Sequence, residues 1–323
     1  MSVVDPPDHT RLRKYANKGF TSRALQVFRP QIYRLIQSFV DDLTVEDKCE
    51  IDIVADFAKR VPLLAVMTVI GADLAHEPRY RLWIEHLLAI MIGYRTLDDR
   101  TLIEYARQQQ DFIAAIQQLI HARRAEPRED LITFISSGVV DGGLLSDNEA
   151  ISVIILLIGA GWETTAKAIP NILHQLLRDP SHWENLVEGR VEAAAVVEEG
   201  LRHSPSAAGS YRVTRCDVNV GGVQIPAGSL VFLSLMSAGR DETKYSQADM
   251  FDPYRQAKTP LLTFGHGIHY CLGSQLARME MEAAFECLSK VFPRLSLAPG
   301  WEPKYEPSPQ FRGLTDLWVK LNS

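Results

Sequence analysis

The chain has 323 residues, of which 46% are hydrophobic and 23% are charged, a composition typical of a folded globular protein. Its net charge of -6 and its lack of a dense run of basic residues argue against nucleic-acid binding. Four dispersed cysteines do not resemble a disulfide framework, so we expect a reducing, cytoplasmic setting. The first ten residues do not resemble a signal peptide, and the longest uncharged apolar run, Ala150–Trp162, is too short for a membrane span.

The first half of the chain is predicted to be helical. Prolines in Asp5–His9 are typical of a helix start. Apolar residues recur at helical spacing in Gln31–Leu43, and Ile51–Ile70 is apolar with acids at its beginning. Trp83–Tyr94 is an unusually apolar helix candidate, for which core packing and a lid over an apolar substrate are equally good interpretations. Thr101–Arg124 is predicted to be a long amphipathic helix.

A long apolar helix is predicted next, beginning at a capping box formed by Ser146 and Glu149 and extending to about Arg178. Its middle, Ala160–Thr165, changes abruptly from small residues to an acid and two hydroxyls. A buried acid is costly, and a threonine can bond back to the carbonyl four residues earlier. On these residues alone, a packing kink is the favoured interpretation.

Beyond Asp179-Pro180, a helix is predicted over Val191–His203, in which Glu199 and Arg202 share a face. The strand-rich part of the chain follows at about residues 210–236, where alternating or β-branched segments are separated by glycine and proline turns. The predicted strands are Tyr211–Val213, Asp217–Val220, Gly222–Ile225 and Leu230–Leu235.

The decapeptide Phe264–Gly273 places Cys271 at the start of a predicted helix, behind a turn containing Gly265 and Gly267. Both glycines can take a positive φ or let the backbone approach a flat group closely. A buried face is predicted after the cysteine, formed by Leu272, Leu276, Met279 and Ala283. The helix dipole and free amides are expected to favour the thiolate of Cys271.

Three interpretations of this loop are open. The cysteine is a small buried hydrophobe, which is the commonest state of a lone cysteine. A zinc site would use His266, His269 and Cys271, but the sequence lacks the paired C-x-x-C spacing of structural zinc sites. Thiolate ligation of a haem iron is the third interpretation.

The loop resembles the haem-binding loop of the cytochrome P450 family, whose pattern is F-x-x-G-x-[RH]-x-C-x-G. Each fixed position is filled, by Phe264, Gly267, His269, Cys271 and Gly273. The resemblance extends in the family's order from Asp5 to the C-terminus. It implies that Cys271 is the axial ligand of the haem iron.

The resemblance also implies which residues contact the haem propionates. In the family, a D-P-P-x-H-x-x-x-R segment opens a helix whose histidine and arginine reach a propionate, and His9 and Arg13 stand at those positions. Arg212, five residues before Asp217, has the spacing of another propionate arginine. His269 is the candidate contributed by the cysteine loop.

In the long helix, the segment resembles the family pattern [AG]-G-x-[DE]-T. There the glycine leaves room for dioxygen and an acid–alcohol pair relays protons. This implies that Ala160 and Gly161 adjoin the cofactor and that Glu163 and Thr164 are catalytic.

The E-x-x-R pair of the family corresponds to Glu199 and Arg202, a buried structural pair that holds the cysteine loop. An arginine usually completes it just before a Phe-Asp, but here that position is Met250. Arg255 is a candidate replacement.

The resemblance implies a mainly α fold with a small β region, in one cytochrome P450-like domain over residues 1–323. The expected activity is haem-thiolate monooxygenation, in which one oxygen atom of O2 enters a small, apolar or natural-product-like substrate of secondary metabolism. The expected cofactor is haem b, iron protoporphyrin IX, with NAD(P)H-derived electrons from a ferredoxin or flavodoxin and its reductase. Candidate pocket residues are Thr165, Ala207, Ala208 and Phe311.

Two further functions remain as alternatives. One is a haem-thiolate enzyme that uses peroxide or catalyses oxidative coupling, and the other is a non-catalytic haem-binding protein. The family's usual N-terminal segment, which supplies a helix and two strands, is not found before Asp5, so the fold is expected to be N-terminally shortened. A partner or a second copy is expected to cover the sheet edge that this leaves.

Overall fold

A computed structural model describes residues 1–45, 49–93, 97–140, 143–256 and 259–321. Contacts divide the chain into two compact units. The first unit comprises Met1–Asp47, Ala55–Ala166 and Cys271–Cys287, and the second comprises Lys48–Val54, Lys167–Tyr270 and Leu288–Ser323. The expectation of a single domain over residues 1–323 stays a prediction.

The first unit is built largely from helices: α1 Asp8–Gly19, α2 Ser22–Gln26, α3 Arg29–Val45, α4 Val61–Ile70, α5 Glu77–Gly93, α6 Asp99–Ala125 and α7 Leu131–Ser137. α1 begins directly after the two prolines, as predicted. The amphipathic helix predicted over Thr101–Arg124 is α6, and its buried face carries Phe112, Ile116 and Ile120.

The apolar candidate 83–94 belongs to α5. Its first residue, Trp83, is buried and stacks on Phe112 of α6 with ring centroids 5.0 Å apart, so this part of the helix is core. Further along, Met91 is 67% exposed. The last residue of the predicted helix, Tyr94, lies outside the described residues.

The long helix α8 runs from Asp147 to Arg178 without a break in the helix assignment. Its predicted capping box is present, because the Glu149 amide donates to Oγ of Ser146 at 3.4 Å and the Ser146 amide donates back to Oε2 of Glu149 at 3.0 Å. Pro170 lies inside the helix. α8 is also long and apolar enough to cross a membrane by length and composition alone, which is weak evidence for a span, and half of that apolar window is buried.

In the second unit, α9 Pro180–Val187, α10 Ala193–His203 and α11 Leu235–Gly239 accompany the predicted strand-rich region. Strand β2 Gly209–Val213 pairs antiparallel with β5 Leu230–Ser234, and β3 Val218–Val220 pairs with β4 Val223–Ile225. These strands lie within one or two residues of the predicted ones. α12, Ser274–Val291, follows the cysteine loop and belongs to the first unit as far as Cys287.

The structure also contains a three-stranded sheet that was not predicted. Its order is β1-β7-β6, and its strands are Glu50–Asp52, Trp318–Lys320 and Ser296–Leu297. The helix predicted over 51–70 is therefore wrong at its beginning: residues there form β1 and a π-helical turn, Val54–Ala58, before α4. The cause is a tertiary contact, because the Asp52 carboxylate accepts the amides of Val54 at 3.0 Å and Leu317 at 2.8 Å.

Candidate functional site

The predicted turn before Cys271 is present. Gly265 and Gly267 both have φ of 75°, a left-handed conformation that residues with a Cβ rarely adopt. The Tyr270 amide donates to the Gly267 carbonyl at 3.0 Å, which closes a 3-10 turn over Gly267–His269. Phe264 packs near Tyr270, with ring centroids 6.4 Å apart.

Cys271 lies just ahead of α12, whose first regular backbone bond joins the Ala277 amide to the Gly273 carbonyl at 2.9 Å. On the predicted face after it, Leu276, Met279 and Ala283 are buried, which confirms the stripe beyond Leu272. All four cysteines belong to the described residues and are free of disulfide bonds, and Cys271 is partly exposed.

Burial raises the pKa of the Cys271 thiol, whereas the Gly273 amide, which bonds to it, and the guanidinium groups of Arg13 and Arg278 lower it. Burial outweighs the other three, so the expectation that the protein alone favours the thiolate is wrong. Desolvation of a charge inside the protein costs more than the surrounding amides and cations return. A metal ion bound to a cysteine sulfur favours the thiolate, whatever the pKa of the thiol in the protein without metal.

Arg13 is brought to Cys271 by helix α1. Burial lowers the pKa of the Arg13 guanidinium, and the charge of Cys271 raises it, which places the two groups within electrostatic reach of each other. Nε of Arg13 donates to the Asn17 side chain one turn along the helix at 2.9 Å. His9, the other predicted residue of this helix, is 2% exposed.

The Ala160–Thr165 segment occupies the middle of α8, where the Thr164 hydroxyl donates to the Ala160 carbonyl at 3.1 Å. This is the predicted back-bond to the residue four positions earlier. A Cβ at Gly161 would lie 2.5 Å from Cγ2 of Val66, so the close packing of α4 against α8 is itself a reason for glycine at this position. Thr165 is 3% exposed.

In the second unit, Glu199 and Arg202 of α10 form a buried bidentate pair. Both guanidinium-to-carboxylate distances, Nε to Oε2 and Nη2 to Oε1, are 2.7 Å. The remaining donors of Arg202 reach the carbonyls of Gly239 and Ala248 at 2.7 Å and of Met250 at 2.8 Å. The pair thus ties α10 to the segment that precedes the cysteine loop.

Arg255 joins the same carboxylate. Its Nε lies 3.3 Å from Oε2 of Glu199, and its other nitrogens donate to the carbonyls of Ser246 at 2.5 Å, Gln247 at 3.2 Å and Met250 at 3.1 Å. Gln247 has a φ of 50°, an uncommon conformation for a residue with a Cβ, and Arg255 holds its carbonyl. The Met250 side chain is 57% exposed. We call Glu199, Arg202 and Arg255 the brace.

The remaining predicted residues of the second unit lie on strands and loops. Arg212 is exposed on β2, where Nη1 donates to the Ser210 hydroxyl at 2.7 Å and the Tyr211 carbonyl at 2.8 Å. His269 ends the 3-10 turn of the cysteine loop. Ala207 and Phe311, both predicted to contact substrate, form a β-bridge, and the Ala208 amide donates to the Gln310 carbonyl at 2.8 Å.

Sequence reasoning missed two sets of residues that the structure brings forward. Arg278, a charge partner of Cys271, stands seven positions after it, a spacing of two helical turns that could have signalled the pair. Lys167 of α8 reaches the Glu306 carboxylate at 2.6 Å, a contact between residues far apart in sequence that no local pattern reveals.

Fold and site together define a mainly helical protein whose free cysteine lies between a glycine turn and a helix. A family model described as Cytochrome P450 matches residues 1–191 and 193–310. Cytochrome P450 107B1 of Saccharopolyspora erythraea is 34% identical over 322 residues, covering 99% of this chain and 76% of the relative. Cyclomarin C epoxidase CymV of Salinispora arenicola is 33% identical over 319 residues, covering 99% of this chain and 80% of the relative.

Among solved structures, CYP109E1 from Bacillus megaterium in complex with testosterone is similar, with a TM-score of 0.91 at 26% identity, covering 100% of this chain and 86% of that one. The chain belongs to the cytochrome P450 family. It is an oxidoreductase of that family, and the family implies a haem-thiolate cofactor.

The described residues fit such a group. The thiol of Cys271 is free of disulfides, and two guanidinium groups and one amide offset part of a negative charge on it. A Cβ added at Gly267 or at Gly273 would meet no protein atom within 4 Å, so the backbone is open at both positions. A cysteine thiolate is one of the established axial ligands of haem iron.

Proposed function

We propose that the protein is a monooxygenase that inserts one oxygen atom of O2 into a small organic substrate and releases the other as water. The reaction consumes two electrons and two protons: RH + O2 + 2e⁻ + 2H⁺ gives ROH + H2O. The observation that carries the proposal is the Glu163–Thr164 pair in the middle of α8, because proton delivery separates O2-driven monooxygenation from peroxide-driven chemistry. A relative named an epoxidase supports the reaction class.

Cys271 is the residue that would hold haem b, through a bond from its thiolate to the iron. When bound, the haem supplies the oxygen chemistry, and the protein contributes placement and electrostatics. The Gly273 amide and the guanidinium groups of Arg13 and Arg278 hold the negative charge of the sulfur. His9, Arg13, Arg212 and His269 are proposed to neutralise the propionates, which are anions that need cationic partners when buried.

Glu163 and Thr164 are the proposed proton carriers. In the structure, the Thr164 hydroxyl donates to the Ala160 carbonyl at 3.1 Å. A hydroxyl both donates and accepts, so a rotation about χ1 lets Thr164 pass on a proton that it receives from outside. Glu163 adjoins it in sequence and provides a group that exchanges protons with solvent.

The substrate side of the proposal rests on residues 206–208 and 310–312, which pair through the Ala207–Phe311 bridge. We propose an apolar or natural-product-like substrate for this region. The solved structure with testosterone shows that a similar fold binds a compact apolar molecule. A ferredoxin or flavodoxin with its NAD(P)H-dependent reductase is the proposed electron source, and the cytoplasm the proposed location.

Turnover under ¹⁸O2 tests the proposal. Probes that perturb the Soret band, with testosterone as the first, are incubated with the holoenzyme, NADPH and a surrogate ferredoxin and reductase. We expect one ¹⁸O atom per product molecule. Product whose oxygen comes from water, or turnover that needs only peroxide, would contradict the proposal and favour the peroxide-driven alternative.

Thr164→Ala sharpens this test because it removes the proposed proton carrier. We expect the variant to release a larger share of its electrons as hydrogen peroxide, with less product per NADPH. Thr68→Ala is the matched control, because the Thr68 hydroxyl makes the same kind of back-bond, to the Leu64 carbonyl at 2.8 Å, in helix α4. Equal coupling in wild type and Thr164→Ala would remove Thr164 from the mechanism.

A further inference from the structure

The segment Tyr305–Leu314, which we call the tail loop, doubles back on itself. Tyr305 and Leu314 form a β-bridge, and the Glu306 amide donates to the Gly313 carbonyl at 2.9 Å. Phe311 lies near its turn, where its amide donates to the Ser308 hydroxyl at 3.1 Å. The loop has little regular structure of its own, so contacts from outside set its position.

One set of contacts comes from the chain beyond α10. The Arg312 amide donates to the Ser206 carbonyl at 2.7 Å, and the Ala208 amide donates to the Gln310 carbonyl at 2.8 Å. These backbone bonds fix how the two segments pair.

The other set comes from the second half of α8. Nζ of Lys167 reaches the Glu306 carboxylate at 2.6 Å and lies 5.9 Å from the centroid of the Phe311 ring. One turn later, the Asn171 side chain donates to the Arg312 carbonyl at 2.9 Å. The Lys167 side chain is 15% exposed, so its charge depends on this carboxylate more than a surface lysine would.

Gly313 packs directly against the stem of Lys167. A Cβ there would lie 2.7 Å from Cγ and 2.8 Å from Cδ of the lysine, closer than van der Waals contact allows. The absence of a side chain at 313 thus leaves room for the lysine to reach Glu306.

We propose that Lys167 is a positioning residue that sets the place of Phe311, and through it the selectivity for substrate. The lysine holds the tail loop from α8 by charge at Glu306, by ring contact at Phe311 and by packing at Gly313. This rests on the proposed function in that Phe311 contacts substrate. Lys167 itself need not touch substrate.

The first test requires no haem. Hydrogen exchange of the tail loop is compared between wild type, Lys167→Met and, as a matched control, Lys18→Met, whose ammonium bonds to the Val139 carbonyl in the first unit. We expect the Glu306 and Arg312 amides to exchange about three- to tenfold faster in Lys167→Met only, as loss of a partly buried ion pair implies. Unchanged exchange would overturn the proposal.

The second test measures the site. Imidazole binds haem iron through its nitrogen, and 4-phenylimidazole adds a phenyl group that senses the walls, so the ratio of the two Kd values reports wall position apart from ligation. We expect Lys167→Met to raise the Kd of 4-phenylimidazole about three- to fivefold and the Kd of imidazole by less than about twofold. Equal changes for both probes, or none, would reduce Lys167 to a merely structural residue.

Gly313 supplies an independent variant. Gly313→Ala displaces the lysine, so we expect it to change the ratio of the two Kd values as Lys167→Met does. In a Lys167→Ala background, where the lysine stem is gone, we expect Gly313→Ala to cause no further change in that ratio. If Gly313→Ala changed the ratio equally in wild type and in the Lys167→Ala background, the proposed contact between Gly313 and the lysine stem would be overturned. If Lys167→Met folds poorly, Glu306→Gln replaces it in the hydrogen-exchange experiment. Unchanged exchange of the tail loop in Glu306→Gln would also count against the proposal. A wild type without a haem Soret band would refute the proposed function, while the exchange experiment still decides whether Lys167 holds the loop.

Discussion

Replacing Arg255 by glutamine tests whether this residue completes the brace. The side chain is 12% exposed, and its guanidinium serves the Glu199 carboxylate and the three carbonyls of Ser246, Gln247 and Met250. Two of those carbonyls keep another donor, since Arg202 reaches Met250 at 2.8 Å and the Met250 amide reaches Gln247 at 3.0 Å. What is lost is one charge-assisted contact and the donor at Ser246.

The expected cost follows from this inventory. Glu199 keeps its bidentate bond to Arg202 and the Asp252 amide at 2.7 Å, so its charge stays compensated. We expect Arg255→Gln to lower the free energy of unfolding by about 2–3 kcal/mol, less than the 3–5 kcal/mol typical of an uncompensated buried charge. Arg202→Gln should exceed that figure, because four of the five Arg202 bonds are buried and the fifth, to the Met250 carbonyl, is partly buried.

Met250→Arg is the informative companion. The two oxygens of Glu199 already accept from Arg202, Arg255 and the Asp252 amide, which leaves little acceptor capacity for another arginine. We therefore expect Met250→Arg to change stability by less than about 0.5 kcal/mol in wild type. Urea unfolding, analysed with a constant m-value, measures the free energy of unfolding of Arg255→Gln and Met250→Arg. A cost below about 0.5 kcal/mol for Arg255→Gln, or a gain from Met250→Arg equal to that cost, would refute the assignment.

Two further predictions concern pH and packing. Burial lowers the pKa of His174 and His203 to about 4, so the unfolded chain binds more protons below pH 6.5 and stability falls as pH drops from there to about 4. Urea unfolding measured between pH 6.5 and 4 should show that the free energy of unfolding falls by up to about 3 kcal/mol less in His203→Gln than in wild type. An equal fall in both proteins would contradict this prediction. Gly161→Ala should destabilise the protein by about 1–3 kcal/mol, because the new methyl group would clash with Val66. In a Val66→Ala background the clash is gone, so the same change should stabilise the protein by about 1 kcal/mol, because alanine favours a helix more than glycine does. Thermal unfolding of the four proteins checks this sign reversal, and the same sign in both backgrounds would exclude the contact.

Local rules predicted much of the structure. The capping box at Ser146 and Glu149 marked the start of α8 because both partners of that motif lie within one turn. The positive φ of Gly265 and Gly267 was predictable because few other residues tolerate it. The strands between 209 and 234 follow from alternation and from glycine and proline turns close by in sequence.

What escaped prediction depends on distant pairing. The β1-β7-β6 sheet uses strands of two or three residues, too short for a periodic signal, and joins Ile51 to Val319 across nearly the whole chain. The donors of Arg255 reach backbone carbonyls, which carry no side-chain pattern. For Cys271, helix position was visible in the sequence, but the burial that raises its pKa depends on what packs around it.

The central claim is that Cys271 is the thiolate ligand of a haem iron. The most direct measurement is the absorption spectrum of the reduced, CO-bound protein in wild type, Cys271→Ala and Cys287→Ala, the last a matched control for a buried cysteine in α12. We expect a strongly red-shifted Soret band in wild type and Cys287→Ala, and its loss in Cys271→Ala. A wild type without the red-shifted band, or a Cys271→Ala variant that retains it, would contradict the assignment.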